Sequence, residues 1–218
     1  QPREMDILLS CGELISAVVL ASMLEEKGYR AAALTGAQAG IITNQEYQNA
    51  EIIDTNPSYI LELLDKDIIP VIAGFQGSTQ SGEITTLGRG GSDTSAAIVA
   101  SAISANSIEI YTDVDGIMTA DPRMCEQAHV IPQISYNEVF QMADSGAKVI
   151  HPRAVEIAMK ANIPLIIKNT FSDEQGTSII QNRCDRKVEK NQNDKVITGI
   201  AHRLDRIQVQ LFEGDVDD

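Results

Sequence analysis

Short runs of aliphatic and β-branched residues alternate with longer stretches of helical period along most of this chain, and that alternation limits the fold more than any other feature. Strands are predicted at Met5 to Leu9, Ala31 to Leu34, Ile69 to Ala73, Ser107 to Thr112 and Pro164 to Lys168. Helices are predicted between them. Ser10-Cys11-Gly12-Glu13 matches a capping box, followed by Leu14, Ile15, Val18, Val19 and Leu24 at helical spacing and closed by Gly28. Further helices are expected at Tyr59 to Lys66, Ala96 to Ser104, Tyr136 to Ala143 and Val149 to Ala161, and FSDEQGTSI (171–179) reads as a closing hairpin. Strand and helix in alternation predict an α/β fold, with a mainly parallel sheet covered on both faces.

With 43% hydrophobic but only 4% aromatic residues and no Trp, the core must be built from Ile, Val, Leu and Ala. A formal charge of −14, from 31 acids against 17 bases, argues against a general nucleic-acid surface. It leaves room for a locally cationic site. Cys11, Cys125 and Cys184 are far apart and lack C-x-x-C spacing, so neither a disulfide framework nor a zinc site is indicated and a reducing cytoplasm is expected. No apolar run in this reading reaches the ~20 residues of a membrane span, and no membrane partner is expected.

Chemistry concentrates in glycine-rich turns. GRGGSDTS (88–95) sets three glycines, Arg89 and hydroxyls directly before a helix, where backbone N–H groups and the helix dipole favour an oxyanion and Arg89 can clamp it. An ordinary glycine-rich turn is the competing reading, and Asp93 stands where a dinucleotide fingerprint would need its third glycine. DVDGIMTADPR (113–123) follows a predicted strand, at the sheet end where open α/β folds bind ligands. It lacks the later ligands of an EF-hand. Lys148 sits near a predicted helix start and can add positive charge there or remain a surface lysine. Glu13 either closes the capping box or faces a ligand ammonium, and Arg123 either meets a phosphate or caps the DPR turn. His129, His151 and His202 show no ligand spacing. No P-loop, H-R-D or D-F-G motif occurs, and the S-x-x-K at Ser145 to Lys148 has no K-T-G after it.

Taken together, LLSCGE (8–13), LTGAQAG (34–40), TTLGRGGSDTSA (85–96), IYTDVDGIMTADPR (110–123), GAKVIHPRAVEIA (146–158) and FSDEQGTSI (171–179) resemble the aspartokinases, in the order that family has them. The resemblance implies the amino-acid-kinase, carbamate-kinase-like fold, a three-layer αβα sandwich. It implies transfer of the γ-phosphoryl of ATP, with Mg²⁺ held chiefly by ATP oxygens, to the β-carboxylate of L-aspartate, opening the route to lysine, threonine, methionine and diaminopimelate. By matching positions, Glu13 and Asp93 would face the α-ammonium of aspartate, Arg89 its α-carboxylate, and Ser92 the acceptor carboxylate. Thr112, Asp113 and the run Met118, Thr119, Ala120, Asp121, Pro122 and Arg123 would bind the nucleotide. Lys148 would lie near its phosphates, and Asp93 and Lys148 would carry the catalytic roles.

Met at 118 departs from the aromatic residue expected there. The family's K-[FY]-G-G-[ST] segment does not occur, so this chain as it stands is expected to be impaired. The resemblance divides the chain into a kinase domain (1–182), a linker (183–194) and the start of an ACT-type regulatory region (195–218), with strands at VITGIAH and IQVQLFE. It also implies a homo-oligomer and an amino-acid effector, lysine or threonine. A glutamate or acetylglutamate kinase on the same fold, or a non-catalytic nucleotide- or amino-acid-binding subunit, are the competing expectations.

Overall fold

In the computed structural model, residues 1–144, 150–181 and 197–201 are described. Helix α1, Pro2–Glu26, opens the chain as 25 residues without interruption, with Pro2 in its first turn. The strand expected at Met5 to Leu9 is therefore helix. Ser10 is no cap; the helix already surrounds it, and its hydroxyl donates to the Ile7 carbonyl 2.8 Å away. The i, i+3 spacing of Ser10 and Glu13, shared by a capping box and by one face of a helix, here marks a face. That face is polar and small. Asp6, Ser10, Ala17 and Ala21 are its buried residues, whereas Leu8 (66% exposed) and Ile15 (65%) point outward. Of the apolar residues at helical spacing, Ile15, Val18 and Val19 are exposed and Leu14 and Leu24 half-buried. By length and composition alone α1 could cross a membrane, contrary to the expected absence of such a run. It nevertheless packs along β1 (Ala31–Leu34), β4 (Ile69–Ile72) and β6 (Ile84–Thr86).

Gly28, with φ +88°, closes α1. The chain continues through β1, β2 (Ile41–Thr43), β3 (Ile52–Thr55), α2 (Ser58–Asp65), β4, β5 (Gln76–Ser78), β6 and α3 (Gly91–Ala102). Then come β7 (Ile108–Thr112), β8 (Gln133–Ser135), α4 (Tyr136–Asp144), α5 (Pro152–Ala161), β9 (Leu165–Asn169) and β10 (Thr177–Ile180). The strands form three ladders, β1-β4, β3-β2-β5-β6 and β7-β9-β10-β8. Pairs β1-β4, β2-β5, β7-β9 and β8-β10 are parallel. Each needs a crossover between its strands; β7 and β9, for example, are joined through α4 and α5. The antiparallel pairs β2-β3, β5-β6 and β9-β10 are joined directly by short turns, and the last is the hairpin expected at FSDEQGTSI. The α/β class holds, with parallel pairing in the majority and spread over three ladders.

The larger core lies between the β7-β9-β10-β8 ladder and α3, α4 and α5, with Ile134, Leu165, Ile167 and Ile179 fully enclosed. Each such aliphatic side chain contributes about 1.5–3 kcal/mol by burial. Helices α3 and α5 approach closely because Ala97, Ala154 and Ala158 have no exposed surface. A smaller cluster, Leu34, Ala39, Ile41, Ile60 and Leu63, joins α2 to β1 and β2.

Beyond β10, Ile197 to Ala201 carry no strand, unlike the expectation for VITGIAH. The Ile200 N–H donates to the Thr119 carbonyl (2.7 Å) and the Thr198 hydroxyl to Glu138 (2.6 Å), so this segment is held against the loop after β7 and against α4. The linker at 183–194 and the strand expected at IQVQLFE lie outside the described residues.

Candidate functional site

The turn after β6 folds as its glycines demand. Gly88 and Gly90 take φ of +72° and +70°, and Gly90 is the residue before the first turn of α3. At Gly90 a Cβ would also fall on the ring of His151, so the position has neither the backbone freedom nor the space for a side chain. The Thr94 and Ser95 hydroxyls donate to the Gly90 and Gly91 carbonyls at 2.8 and 2.9 Å, and Ser95 Oγ accepts the Phe75 N–H at 3.0 Å. The first turn of α3 is thereby tied to the segment after β4.

A cleft of about 470 Å³ opens over this turn, lined by Glu13, Gln48, Phe75, Arg89, Ser92, Asp93 and the backbone of Gly88, Gly90 and Gly91. Four residues expected at the acceptor end, Glu13, Arg89, Ser92 and Asp93, converge here from α1, the turn after β6 and the start of α3. Glu13 and Asp93 are half-buried, and Arg89 and Ser92 are exposed. Two carboxylates and one guanidinium make a complement for a small molecule with an ammonium and a carboxylate. Asp93 stands in the first turn of α3, where the positive end of the helix dipole favours an anion. Its Oδ2 accepts a long bond, 3.4 Å, from the His151 N–H, which links the start of α5 to the start of α3.

Three residues that position this cleft carry no site motif. Phe75, between Gly74 and Gly77, lines it with φ +65°, an outlier for a bulky residue. Its only trace in the sequence is the pair of flanking glycines. Gln48 lines it too, with φ +70°. The Gln48 N–H is held at 3.0 Å by both oxygens of Asp6. Asp6, with no exposed surface, also accepts the Thr86 N–H (2.8 Å) and hydroxyl (2.9 Å), so one buried carboxylate joins α1, the Gln48 turn and β6.

The residues expected to hold a nucleotide lie on the loop after β7. Thr112 ends that strand; its hydroxyl donates to Asp113 (3.1 Å) and its carbonyl accepts from Thr170 (2.8 Å). Met118 is half-buried in an antiparallel bridge with Val130, and Thr119 exchanges bonds with His129. Asp121, Pro122 and Arg123 form a turn in which the Arg123 guanidinium grips Asp121 at 2.7 and 3.0 Å, with Ala120 leading into it. The Asp121 carboxylate holds the Arg123 guanidinium above its ordinary pKa through these bonds. The Arg123 side chain is thus paired within the DPR turn. At the base of the loop the Tyr111 hydroxyl, with Lys168, lowers the Glu109 carboxyl. None of these loop residues lines the cleft over α3. Lys148 lies outside the described residues.

The description "Amino acid kinase family" matches residues 2–169. Aspartokinase 1 of Bacillus subtilis is 50% identical over 210 residues, covering 96% of this chain and 52% of that protein. The solved structure of E. coli aspartokinase III with aspartate and ADP (R-state) superposes with a TM-score of 0.77 at 33% identity, over 85% of this chain and 42% of that one. The form with lysine and aspartate (T-state) gives 0.74 at 32%, over the same shares. The chain spans about half the length of the curated relatives it matches. Motif order, the glycine-rich turn over α3, the α/β architecture and the match over residues 2–169 agree, and the chain belongs to the amino acid kinase family.

Proposed function

We propose that this chain forms the catalytic core of an aspartate kinase, which moves the γ-phosphoryl of ATP onto the β-carboxylate of L-aspartate to give 4-phospho-L-aspartate. The carrying observation is the convergence of Glu13, Arg89, Ser92 and Asp93 on one cleft. Glu13 and Asp93 hold the α-ammonium, and the Arg89 fork takes the α-carboxylate with two parallel N–H donors. The β-carboxylate is then directed to Ser92 and the N-terminus of α3. A carboxylate acceptor is already a competent nucleophile, so these residues orient it and offset charge; none need remove a proton.

ATP is assigned to the loop of Thr112, Asp113 and Met118 to Arg123, with Lys148 neutralising its phosphates as the transferred group leaves ADP. Among the described residues no three His, Cys, Asp or Glu side chains gather as a metal site. Mg²⁺ is assigned chiefly to the oxygens of ATP, where it would supply charge neutralisation. The ADP and aspartate bound in the E. coli relative support this pair of substrates. Lysine in its T-state form supports an amino-acid effector. A cytoplasmic homo-oligomer, with the kinase domain at 1–182 and regulation encoded after the 183–194 linker, completes the reading.

The test is ADP release, coupled to NADH oxidation, from the full-length protein with MgATP and either L-aspartate or L-glutamate. Turnover is expected with aspartate. Turnover with glutamate alone would overturn the assignment, and saturable binding of either substrate without turnover would indicate a binding subunit.

A further inference from the structure

Five non-glycine residues among those described have a left-handed backbone: Gln48, Asp67, Phe75, Ser104 and Asn162. Asp67, Ser104 and Asn162 stand just past α2, α3 and α5, where such a residue commonly closes a helix. Gln48 and Phe75 close no helix, and both line the cleft over α3. Strain of this kind persists only where the surroundings impose it, and it gathers at functional sites. For Phe75 local packing accounts for it. Its N–H is held by Ser95 Oγ at 3.0 Å, its carbonyl accepts the Leu87 N–H at 2.9 Å, and its ring lies against Gly91.

At Gln48 the fold fixes the main chain and leaves the side chain free. The Gln48 N–H meets both oxygens of the buried Asp6 at 3.0 Å. Asn44 Oδ1 closes the turn by accepting the Glu46 and Glu51 N–H groups (3.2 and 3.0 Å), and the Thr86 carbonyl holds the Ala50 N–H at 2.8 Å. Yet the Gln48 side chain is exposed, and its carboxamide makes no hydrogen bond among the described residues. A glycine would take φ +70° without strain, so the turn itself does not call for glutamine.

The neighbourhood of Arg89 gives the carboxamide a use. The Gln48 carbonyl and the Asn49 side-chain oxygen rest on Gly88, where a Cβ would come within 3.2 and 2.8 Å of them. Gly88 directly precedes Arg89, so Gln48 borders the guanidinium end of the cleft. The charged side chains lining the cleft are Glu13, Asp93 and Arg89, whereas aspartate brings one ammonium and two carboxylates. One guanidinium therefore faces two like groups. A second cation would attract either carboxylate, because Coulomb attraction does not distinguish them. A carboxamide offers N–H donors in a fixed plane and adds no charge.

We propose that Gln48 is a specificity-determining residue of the acceptor cleft, a role that rests on aspartate as the acceptor. Its carboxamide NH₂ donates to the α-carboxylate beside Arg89, which leaves the β-carboxylate for Ser92 and the start of α3.

The test is calorimetric titration of the full-length protein, without ATP, with L-aspartate and with its α-amide, which keeps the ammonium and the β-carboxylate. Gln48→Gly retains the main-chain N–H for Asp6 and should bind aspartate about tenfold more weakly, the loss of one hydrogen bond to a charged group. Its melting temperature should hardly change, because relief of strain offsets the greater freedom of glycine in the unfolded chain. Gln48→Asn tolerates the left-handed backbone and should recover part of the lost affinity. The α-amide should bind the parent and Gln48→Gly within about twofold of each other, since the group that Gln48 serves is gone. A parent protein that binds no aspartate overturns this role and the proposed function together. Where the parent does bind it, the role alone is overturned if Gln48→Gly stays within about twofold of the parent, or if the α-amide loses as much affinity as aspartate does.

Discussion

Replacing Asp6 by Ala tests whether a buried carboxylate on α1 holds the candidate site together. Asp6 has no exposed surface and accepts three donors, the Gln48 N–H, the Thr86 N–H and the Thr86 hydroxyl, at 2.8 to 3.0 Å. The Thr86 hydroxyl can rotate to another acceptor. The two amides cannot, and each buried N–H left without a partner costs about 1–3 kcal/mol. Relief of the carboxylate's own desolvation offsets part of this, and the emptied volume adds to it. A net loss of about 3 kcal/mol is expected. Urea unfolding followed by far-ultraviolet circular dichroism reads it directly. With a slope of up to about 3 kcal/mol per molar, the midpoint should fall by roughly 1 M or more. Aspartate binding should weaken in parallel, because Gln48 keeps its left-handed backbone through Asp6. A midpoint within roughly 0.3 M of the parent, at unchanged slope, would refute the view that Asp6 joins α1 to the site.

Arg89→Ala should raise the aspartate requirement in the full-length enzyme by ~1.5–3 kcal/mol of binding, the range for hydrogen bonds to a charged group. Arg89→Lys should restore only part of it, measured as KM for aspartate at saturating ATP. Gly90→Ala should cost about 1–3 kcal/mol from its left-handed backbone, with more from contact with His151, and lower the melting temperature by at least about 2–4 °C. An unchanged melting temperature would remove the geometric reading of that turn. Tyr136, which is 2% exposed and donates to the Ile163 carbonyl, has its phenol pKa raised by burial above the ordinary 10.0. The neutral phenol is thus favoured in the folded state, so its contribution is complete below pH 10 and is lost as pH climbs above that value. Tyr136→Phe should abolish that alkaline loss and cost about 1 kcal/mol at neutral pH, as read from urea midpoints at pH 8 and 11.

The elements that were legible in the sequence are those with enough residues to show a period. Helices α2, α3, α4 and α5 and strands β1, β4, β7 and β9 fall within a few residues of their expected positions. Strands β2, β3, β5, β6 and β8, of three or four residues, were not anticipated, because segments such as Gln76-Gly77-Ser78 have no apolar signal and owe their strand state to their neighbours. The run Met5 to Leu9 misled because a short apolar stretch suits either period. The exposed Ile15, Val18 and Val19 of α1 then reversed the usual inference from hydrophobicity to burial. At the site, Glu13, Arg89, Ser92 and Asp93 were legible because they belong to motifs. Asp6, Phe75 and Gln48 were not, since an isolated acid in an apolar run and a left-handed backbone at Phe75 become visible only in three dimensions.

Asp6 and Glu13 are seven residues apart on a continuous helix, so they share a face about two turns and ~10.5 Å apart. One anchors the rod and the other is its working end. Changes of side chain between them are cheap, since that stretch is mostly exposed, but a change of length is not. A single inserted residue would swing Glu13 by ~100° away from the cleft while Asp6 stayed fixed. Along this stretch the chain can drift freely in composition and hardly at all in count.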